Sequence, residues 1–323
     1  MDRPQIHAAV LHGTGEVPRY QAFPAPVAGP RQEVLTVLAA ALKPFDVAWT
    51  AGLHPASPAT FPRVVGADGV GCRADGRRVA FFGVEAPYGG MAEQALVRAG
   101  LWLPVPDSTD DAMAAAVLNP GGAAWKTVFT EGELTAGQRV LVLGATGLSG
   151  RIAAQLALRH GARVVVAGRN QRVLDQLLGL GVEAAVRLDR THVEVAATLA
   201  AAGPYDLIVD YLWGPPAEAA FSAVRQTARV PGAPERVRYV LVGMSAGASA
   251  ALPAMTMRSA PIELIGSGIR GLAPLAEAAA AYEQVLGLVA DGSISVDVET
   301  VPLADVAEAW TRASGDRRIV FVP

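Results

Sequence analysis

Cysteine is almost absent: the 323 residues contain one, Cys72. A single thiol cannot build a disulfide framework, a structural zinc site of several cysteines or an iron–sulfur cluster, so all three are excluded. Lysine is nearly as rare. Of 27 basic residues only Lys43 and Lys126 are lysines. This arginine bias reads as the mark of a GC-rich genome, without mechanistic content. Charged residues make up only 18%, with a formal net charge of −3. That leaves no large basic surface for nucleic acid or an anionic membrane. No window of about 20 apolar residues escapes Gly, Pro or charge, so no transmembrane helix is expected. The polar start lacks the long apolar stretch of a signal peptide. The expectation is a soluble cytoplasmic protein.

What is present is apolar. Hydrophobic residues account for 51% of the chain, enough for packed cores and too many for a disordered chain. At about 150 residues per domain, the length predicts roughly two domains. Up to residue 110, Pro and Gly break the chain into short apolar runs, Ile6–Leu11, Val34–Leu42, Arg78–Phe82 and Met91–Val97, with Asp75-Gly76 and Gly89-Gly90 as turns. This predicts a mostly β domain. The acids of residues 107–111 suit a helix entry. An Ala-rich helix follows, a break is expected at Asn119-Pro120-Gly121-Gly122, and a second helix carries Trp125 to Phe129. From Arg139 onward strands and helices alternate. The strands Val140–Leu143, Arg163–Ala167, Ala184–Leu188, Leu207–Asp210, Tyr239–Val242 and Ile262–Ile265 are near-continuously apolar, as in a parallel sheet covered on both faces. The tail reads as helix Leu275–Ala290, strand Ser295–Val301, helix Leu303–Arg312 and strand Arg318–Val322.

The sharpest local signal lies between the first two of those strands. Gly144, Gly147 and Gly150 form a G-x-x-G-x-x-G turn that leads from strand into amphipathic helix. Gly147 allows a pyrophosphate close to the backbone, Gly150 allows the helix onto the sheet, and the helix N-terminus offers free N–H groups. Thr146, Leu148 and Ser149 belong to the same turn. The next strand ends in Gly168-Arg169-Asn170, with Arg172 close by. NAD sites place Asp or Glu there for the ribose 2′-hydroxyl. Arginine instead matches a 2′-phosphate, so NADPH is the expected cofactor.

Other enzyme classes fail on residues they require. Neither lysine follows a glycine, so there is no phosphate loop. No tyrosine is followed four residues later by lysine, as short-chain dehydrogenases need. Gly243-Met244-Ser245-Ala246-Gly247 matches the nucleophile-elbow pattern, but every histidine precedes Ser245, and that fold needs one after it.

Lys43-Pro-Phe-Asp46, Val65-Gly66-Ala-Asp-Gly69, Gly89-Gly-Met-Ala-Glu93, Gly144–Gly150, Val209-Asp-Tyr-Leu-Trp-Gly214, Ile265-Gly-Ser-Gly268 and the closing Arg318-Ile-Val-Phe-Val-Pro323 resemble the medium-chain dehydrogenase/reductase superfamily over nearly the whole chain. The branch most similar is that of the zinc-free quinone oxidoreductases and enoyl reductases. The resemblance implies an α/β protein: a GroES-like, mostly β catalytic domain (1–118 and 268–323) and a Rossmann domain with a doubly wound parallel sheet (119–267). The zinc alcohol dehydrogenases have a Cys shortly before the Asp46 region and Gly-His-Glu where this chain has Gly66-Ala67-Asp68. Both ligands are missing here. Cys72, His54 and Asp68 fit no known metal spacing, so no metal is expected. Without a Lewis acid, reduction of a carbonyl-conjugated C=C is easier than reduction of a plain ketone. Hydride goes to the β-carbon, donors stabilise the enolate oxygen, and a proton reaches the α-carbon. The expected function is NADPH-dependent reduction of enones, enals or quinones. The alternatives are a metal-free carbonyl reductase or alcohol dehydrogenase, and a non-catalytic NADPH-binding protein.

Quinone oxidoreductases of this branch carry Asn where Lys43 stands and Tyr where His54 stands. This chain departs at both. Lys43 or His54 is a candidate donor to the substrate oxygen; each also reads as structural, Lys43 as a partly exposed strand-end residue and His54 as a loop residue. The resemblance puts Tyr88 at the substrate cleft, as donor, lining or packing. Asp46 fits a backbone-fixing role, and Cys72 a structural one. Asn119 either contacts the nicotinamide or ribose, or caps the Pro120 turn. Tyr211, Leu212 and Trp213 follow a strand end that faces the cofactor. Gly243, Met244 and Ser245, with Gly266, Ser267 and Gly268, correspond to strand ends near the nicotinamide. The strand Ile262–Ile265 would lie at the sheet edge, which relatives pair across a two-fold axis, so a homodimer is expected.

Overall fold

The computed structural model describes residues 4–54, 57–268, 274–313 and 317–323. The chain divides into two compact units, residues 1–119 with 275–323, and residues 120–274.

The first unit is mostly strand. β1 (Gln5–Leu11), β2 (Arg19–Pro24) and the short β4 (Arg63–Val64) make a small antiparallel sheet. The ten-residue β3 (Gln32–Ala41) is the hub of the larger sheet. It pairs antiparallel with β5 (Asp68–Cys72), with β7 (Gln94–Arg98) and with the last strand of the chain. β6 (Arg78–Phe82) and β8 (Trp102–Pro104) extend the sheet on the β5 side. A seven-residue helix of about two turns, α1 (Pro44–Thr50), follows β3 and has no counterpart among the expected elements. Pro44 stands at its first position, where its missing N–H is harmless. Asp46 accepts the backbone N–H of Lys43 at 2.8 Å and so anchors the helix entry, the backbone-fixing role expected for it.

The expected break at Asn119–Gly122 does not occur. α2 (Asp111–Trp125) runs straight through Pro120. A proline inside a helix lacks the N–H that would reach the carbonyl four residues back, and Pro120 is also where the division into units falls. Asn119 is therefore an exposed helical residue and caps no turn. The expected second helix is one wide turn over Lys126–Thr130, in which Glu131 N–H donates to Lys126 O, five residues back, at 2.8 Å.

In the second unit six strands run parallel: β9 (Arg139–Leu143), β10 (Arg163–Gly168), β11 (Ala184–Arg187), β12 (Leu207–Asp210), β13 (Val237–Leu241) and β14 (Ile262–Gly266). Their order is β11-β10-β9-β12-β13-β14, the order of a dinucleotide-binding sheet, with its switch point between β9 and β12. Helices α3 (Leu148–Arg159), α4 (Gln171–Gly179), α5 (His192–Ala202), α6 (Pro215–Thr227) and α7 (Ala254–Ser259) connect them. Val140 to Leu143 and Val164 to Ala167 have no exposed surface, which is why they read as unbroken apolar runs. The chain then returns to the first unit with α8 (Leu275–Ala290), β15 (Val298–Pro302), α9 (Val306–Trp310) and β16 (Arg318–Val322). β15 begins three residues later than expected. Tyr282 on α8 donates to the Ala114 carbonyl of α2 at 2.9 Å. Among the described residues no helix is long and apolar enough to cross a membrane.

Candidate functional site

The three glycines of the β9–α3 turn meet different surroundings. Gly144 has φ +86°, a conformation that disfavours side chains. A Cβ on Gly150 would lie 2.4 Å from the Gly144 carbonyl oxygen, so only glycine lets α3 this close to the strand. A Cβ on Gly147 would meet nothing nearer than 3.5 Å. Packing does not demand glycine at 147; bare backbone there leaves room for something outside the chain. Gly147 is the exposed N-cap of α3, no side chain caps that terminus, and no acid sits in its first turn. The site is a ready anion cradle.

At the end of β10, Thr146 packs on Gly168. A Cβ on Gly168 would fall 2.3 Å from the Thr146 methyl group. Arg169 follows on the surface, without a hydrogen bond or ion pair among the described residues. Asn170 caps α4 by accepting the Val173 N–H at 3.3 Å.

β12 ends on Asp210, a fully buried carboxylate. One oxygen accepts the N–H groups of Leu212 (2.7 Å) and Trp213 (3.0 Å), the other the Tyr239 hydroxyl (2.7 Å). Burial raises its pKa, and the three donors work against that. This grip holds Trp213 at φ +56°, rare for a large residue, and leaves Leu212 against Gly144. The Trp213 indole packs on Phe221 and Tyr239 in the unit's core, so its contribution at the strand end is backbone. The half-buried Tyr211 shares a hydrogen bond with Thr127 at 3.3 Å. Gly243 lies against Tyr211, whose carbonyl also accepts from the Ser245 hydroxyl. Residues 241–244 and 266–268 line an open hollow beside the ends of β13 and β14, with Met244 exposed at its rim. Lys126 reaches this margin: its Nζ lies 3.5 Å from Ser267 Oγ and 2.6 Å from Glu131.

The first unit holds the other lysine. Lys43 is 4% exposed, which corrects its reading as a partly exposed strand-end residue. Its ammonium lies 2.7 Å from Asp68, 3.3 Å from Asp46 and 3.1 Å from the Ala41 carbonyl. Burial works to lower its pKa, but attraction from Asp46 and Asp68 outweighs burial and raises it. Burial raises the Asp46 pKa despite the opposing Lys43 charge, and the nearby Asp68 carboxylate adds to the rise. Arg318 on β16 adds a second cation nearby and donates to the Leu42 carbonyl. His54, in the loop after α1, sets its ring edge-on to Phe45. Tyr88 is buried with Phe23 and Ala92, and its hydroxyl donates to the Ala25 carbonyl at 3.4 Å. The three candidate donors thus fall in three different surroundings. Among the described residues no three His, Cys, Asp or Glu side chains form a metal-holding group.

Asp210, Lys126 and Glu131 escaped the sequence reading. The scarcity of lysine was a usable signal. Both lysines lie against carboxylates.

No family model matches the sequence. A mitochondrial NAD(P)H oxidoreductase of Drosophila melanogaster is 26% identical over 209 residues, 55% of this chain and 50% of that protein. The crotonyl-CoA reductase of Streptomyces avermitilis is 31% identical over 107 residues, 32% of this chain and 24% of that protein. The quinone oxidoreductase of Rattus norvegicus is 36% identical over 98 residues, 30% of this chain and 29% of that protein. The chain thus matches half the length or less of each. Among solved structures, a mycobacterial quinone oxidoreductase superposes with a TM-score of 0.83 at 20% identity, over 98% of this chain and 100% of that one. A mycobacterial protein solved with NADPH gives 0.81 at 20% identity and the same coverage. The chain shares the two-domain fold of these solved structures, and the proteins it resembles in sequence include ones named as quinone oxidoreductase and crotonyl-CoA reductase.

Proposed function

We propose that this chain is an NADPH-dependent reductase acting on carbonyl-conjugated C=C bonds or quinones, without a catalytic metal. The observation that carries the reading is the β9–α3 turn. Gly144 and Gly150 have reasons in internal geometry, whereas Gly147 has none in packing, which supports a ligand lying on bare backbone there. The uncapped α3 terminus would take the pyrophosphate. Arg169 would take the 2′-phosphate, since no acid stands at the end of β10 to hold a free 2′-hydroxyl. Residues 243–245 and 266–268 would line the nicotinamide end.

Bound there, NADPH supplies a hydride. The chain's own residues must orient it and stabilise charge on the acceptor's oxygen. Asp210 does the first by fixing Leu212 and Trp213 through their N–H groups. The donor set speaks against a metal in the first unit, because Asp46 and Asp68 already bind the Lys43 ammonium. That same engagement makes Lys43 a structural cation in this proposal, and Tyr88 a packing residue. His54 stays a candidate at the α1 loop. Among the described residues the edge strand β14 pairs only with β13, and it exposes Leu264; a homodimer joined there is part of the proposal.

The test is NADPH and NADH binding by fluorescence titration, then NADPH oxidation with crotonaldehyde, cyclohexenone, para-benzoquinone and butyraldehyde. The expected result is tighter binding of NADPH than NADH, and turnover with the first three acceptors. Turnover with butyraldehyde alone would move the chain to carbonyl reduction. Binding without turnover would favour a non-catalytic role.

A further inference from the structure

Lys126 lies 3.5 Å from Ser267, which lines the hollow beside the ends of β13 and β14, and its surroundings point to a task. The wide turn over Lys126–Thr130 inserts one residue more than an α-turn, and such insertions recur at functional positions. Here it sends Lys126 toward Ser267, at the end of β14, while the next residue, Thr127, meets the Tyr211 hydroxyl after β12. The side chain is 20% exposed, so it is neither sealed in nor free in water. An ammonium has three N–H donors. Glu131 at 2.6 Å takes one, and Ser267 at 3.5 Å is within reach of a second. A third has no partner among the described residues. Glu131 Oε1 makes the ion pair while Oε2 is buried without a hydrogen bond among the described residues, so the carboxylate is committed to the lysine. The result is an oriented ammonium beside the place where the reading above puts the nicotinamide.

Resting on that reading, we infer that Lys126 is the hydrogen-bond donor to the carbonyl oxygen of the conjugated substrate, with Ser267 beside it. The step balances without a metal. Hydride from NADPH forms a C–H bond at the β-carbon, and the C=C π pair shifts to leave an enolate on the oxygen. The Lys126 N–H stabilises that charge. One proton from solvent then closes the α-carbon C–H bond. Substrate, NADPH and a proton become the saturated carbonyl compound and NADP⁺. For a quinone the same donor faces the phenolate that forms.

The experiment compares wild type, Lys126→Met and Lys126→Arg as full-length protein, with cyclohexenone as acceptor. NADPH affinity is titrated by fluorescence and folding is checked by thermal melting. Loss of an oxyanion donor costs roughly 100- to 1,000-fold in kcat. The expected result is that drop for Lys126→Met, with NADPH affinity within about 2-fold of wild type, and partial recovery in Lys126→Arg, which keeps a donor. Wild-type kcat in Lys126→Met overturns the inference while leaving the cofactor reading intact. A fall in NADPH affinity as large as the fall in kcat overturns it in another way, since the lysine would then serve the cofactor's carboxamide. If the wild type binds no NADPH, both readings fall together. If Lys126→Met melts early, it is assayed below its own melting transition: turnover at least 10-fold below wild type supports the donor role, and unchanged turnover overturns it.

Discussion

Lys43 and Lys126 carry the same ammonium group in opposite circumstances. In the first unit the buried Lys43 ammonium has two carboxylates and a backbone carbonyl around it, so every donor is engaged. In the second unit Lys126 is held by one carboxylate and one hydroxyl at the rim of a hollow. A buried charge with full compensation cannot leave its partners without a large desolvation penalty; its role is to keep β3, α1 and β5 in place. A half-buried charge with a donor to spare can meet a third group. The same residue type becomes scaffold or tool according to how many of its donors the fold occupies.

This contrast breaks most readily at Lys43. Replacing it with Met leaves Asp46 and Asp68 facing each other in a dry site, and should cost about 3–5 kcal/mol of stability in denaturant unfolding. Lys126→Met should cost less, about 1–3 kcal/mol, because its pair with Glu131 is partly solvated although one Glu131 oxygen stays buried. If the two variants unfold alike, the division into scaffold and tool is wrong.

The glycine turn sharpens the same point one level down. Gly150→Ala must move the Gly144 carbonyl, and should destabilise the fold by roughly 1–3 kcal/mol. Gly147→Ala meets no such obstacle. It should melt within about 2 °C of wild type, yet bind NADPH at least 10-fold more weakly. Equal losses of stability would mean that Gly147 also serves packing.

Arg169 separates the two cofactors. Charged hydrogen bonds contribute about 1.5–3 kcal/mol, so Arg169→Ala should weaken NADPH roughly 10- to 100-fold and leave NADH almost unchanged. Parallel losses in both titrations would remove it from the 2′-phosphate.

The smallest expected effect concerns pH. Burial holds the Asp210 carboxyl above the ordinary aspartate range. A group whose folded pKa is raised favours the folded state at low pH, and this contribution is lost as pH rises through the raised value. Asp210→Asn removes it while keeping an acceptor for the Leu212 and Trp213 N–H groups. As pH rises from the ordinary aspartate range, the melting temperature should therefore fall less steeply in the variant than in wild type, by about 3 °C or less. An unchanged slope would show that Asp210 does not contribute to the pH dependence of stability.

How much could be read in advance differs between the units. The six apolar strands, the glycine turn and Arg169 are local patterns, legible because periodicity and backbone freedom act over a few residues. α1 was not legible, because a seven-residue helix has no periodicity to show and its entry depends on Asp46 reaching back to Lys43. The continuous α2 was hidden by Asn119-Pro120-Gly121-Gly122, which reads as a break wherever tertiary contacts do not override it.

The sequence by itself therefore determined the fold class, the glycine turn between β9 and α3, and the choice of a basic residue at the end of β10. Only the tertiary structure decided what the charged side chains do. Asp68 lies 25 residues from Lys43, and Ser267 lies 141 from Lys126. Whether an ammonium is closed off or left with a free donor depends on which distant strands arrive beside it, and on how much water they displace.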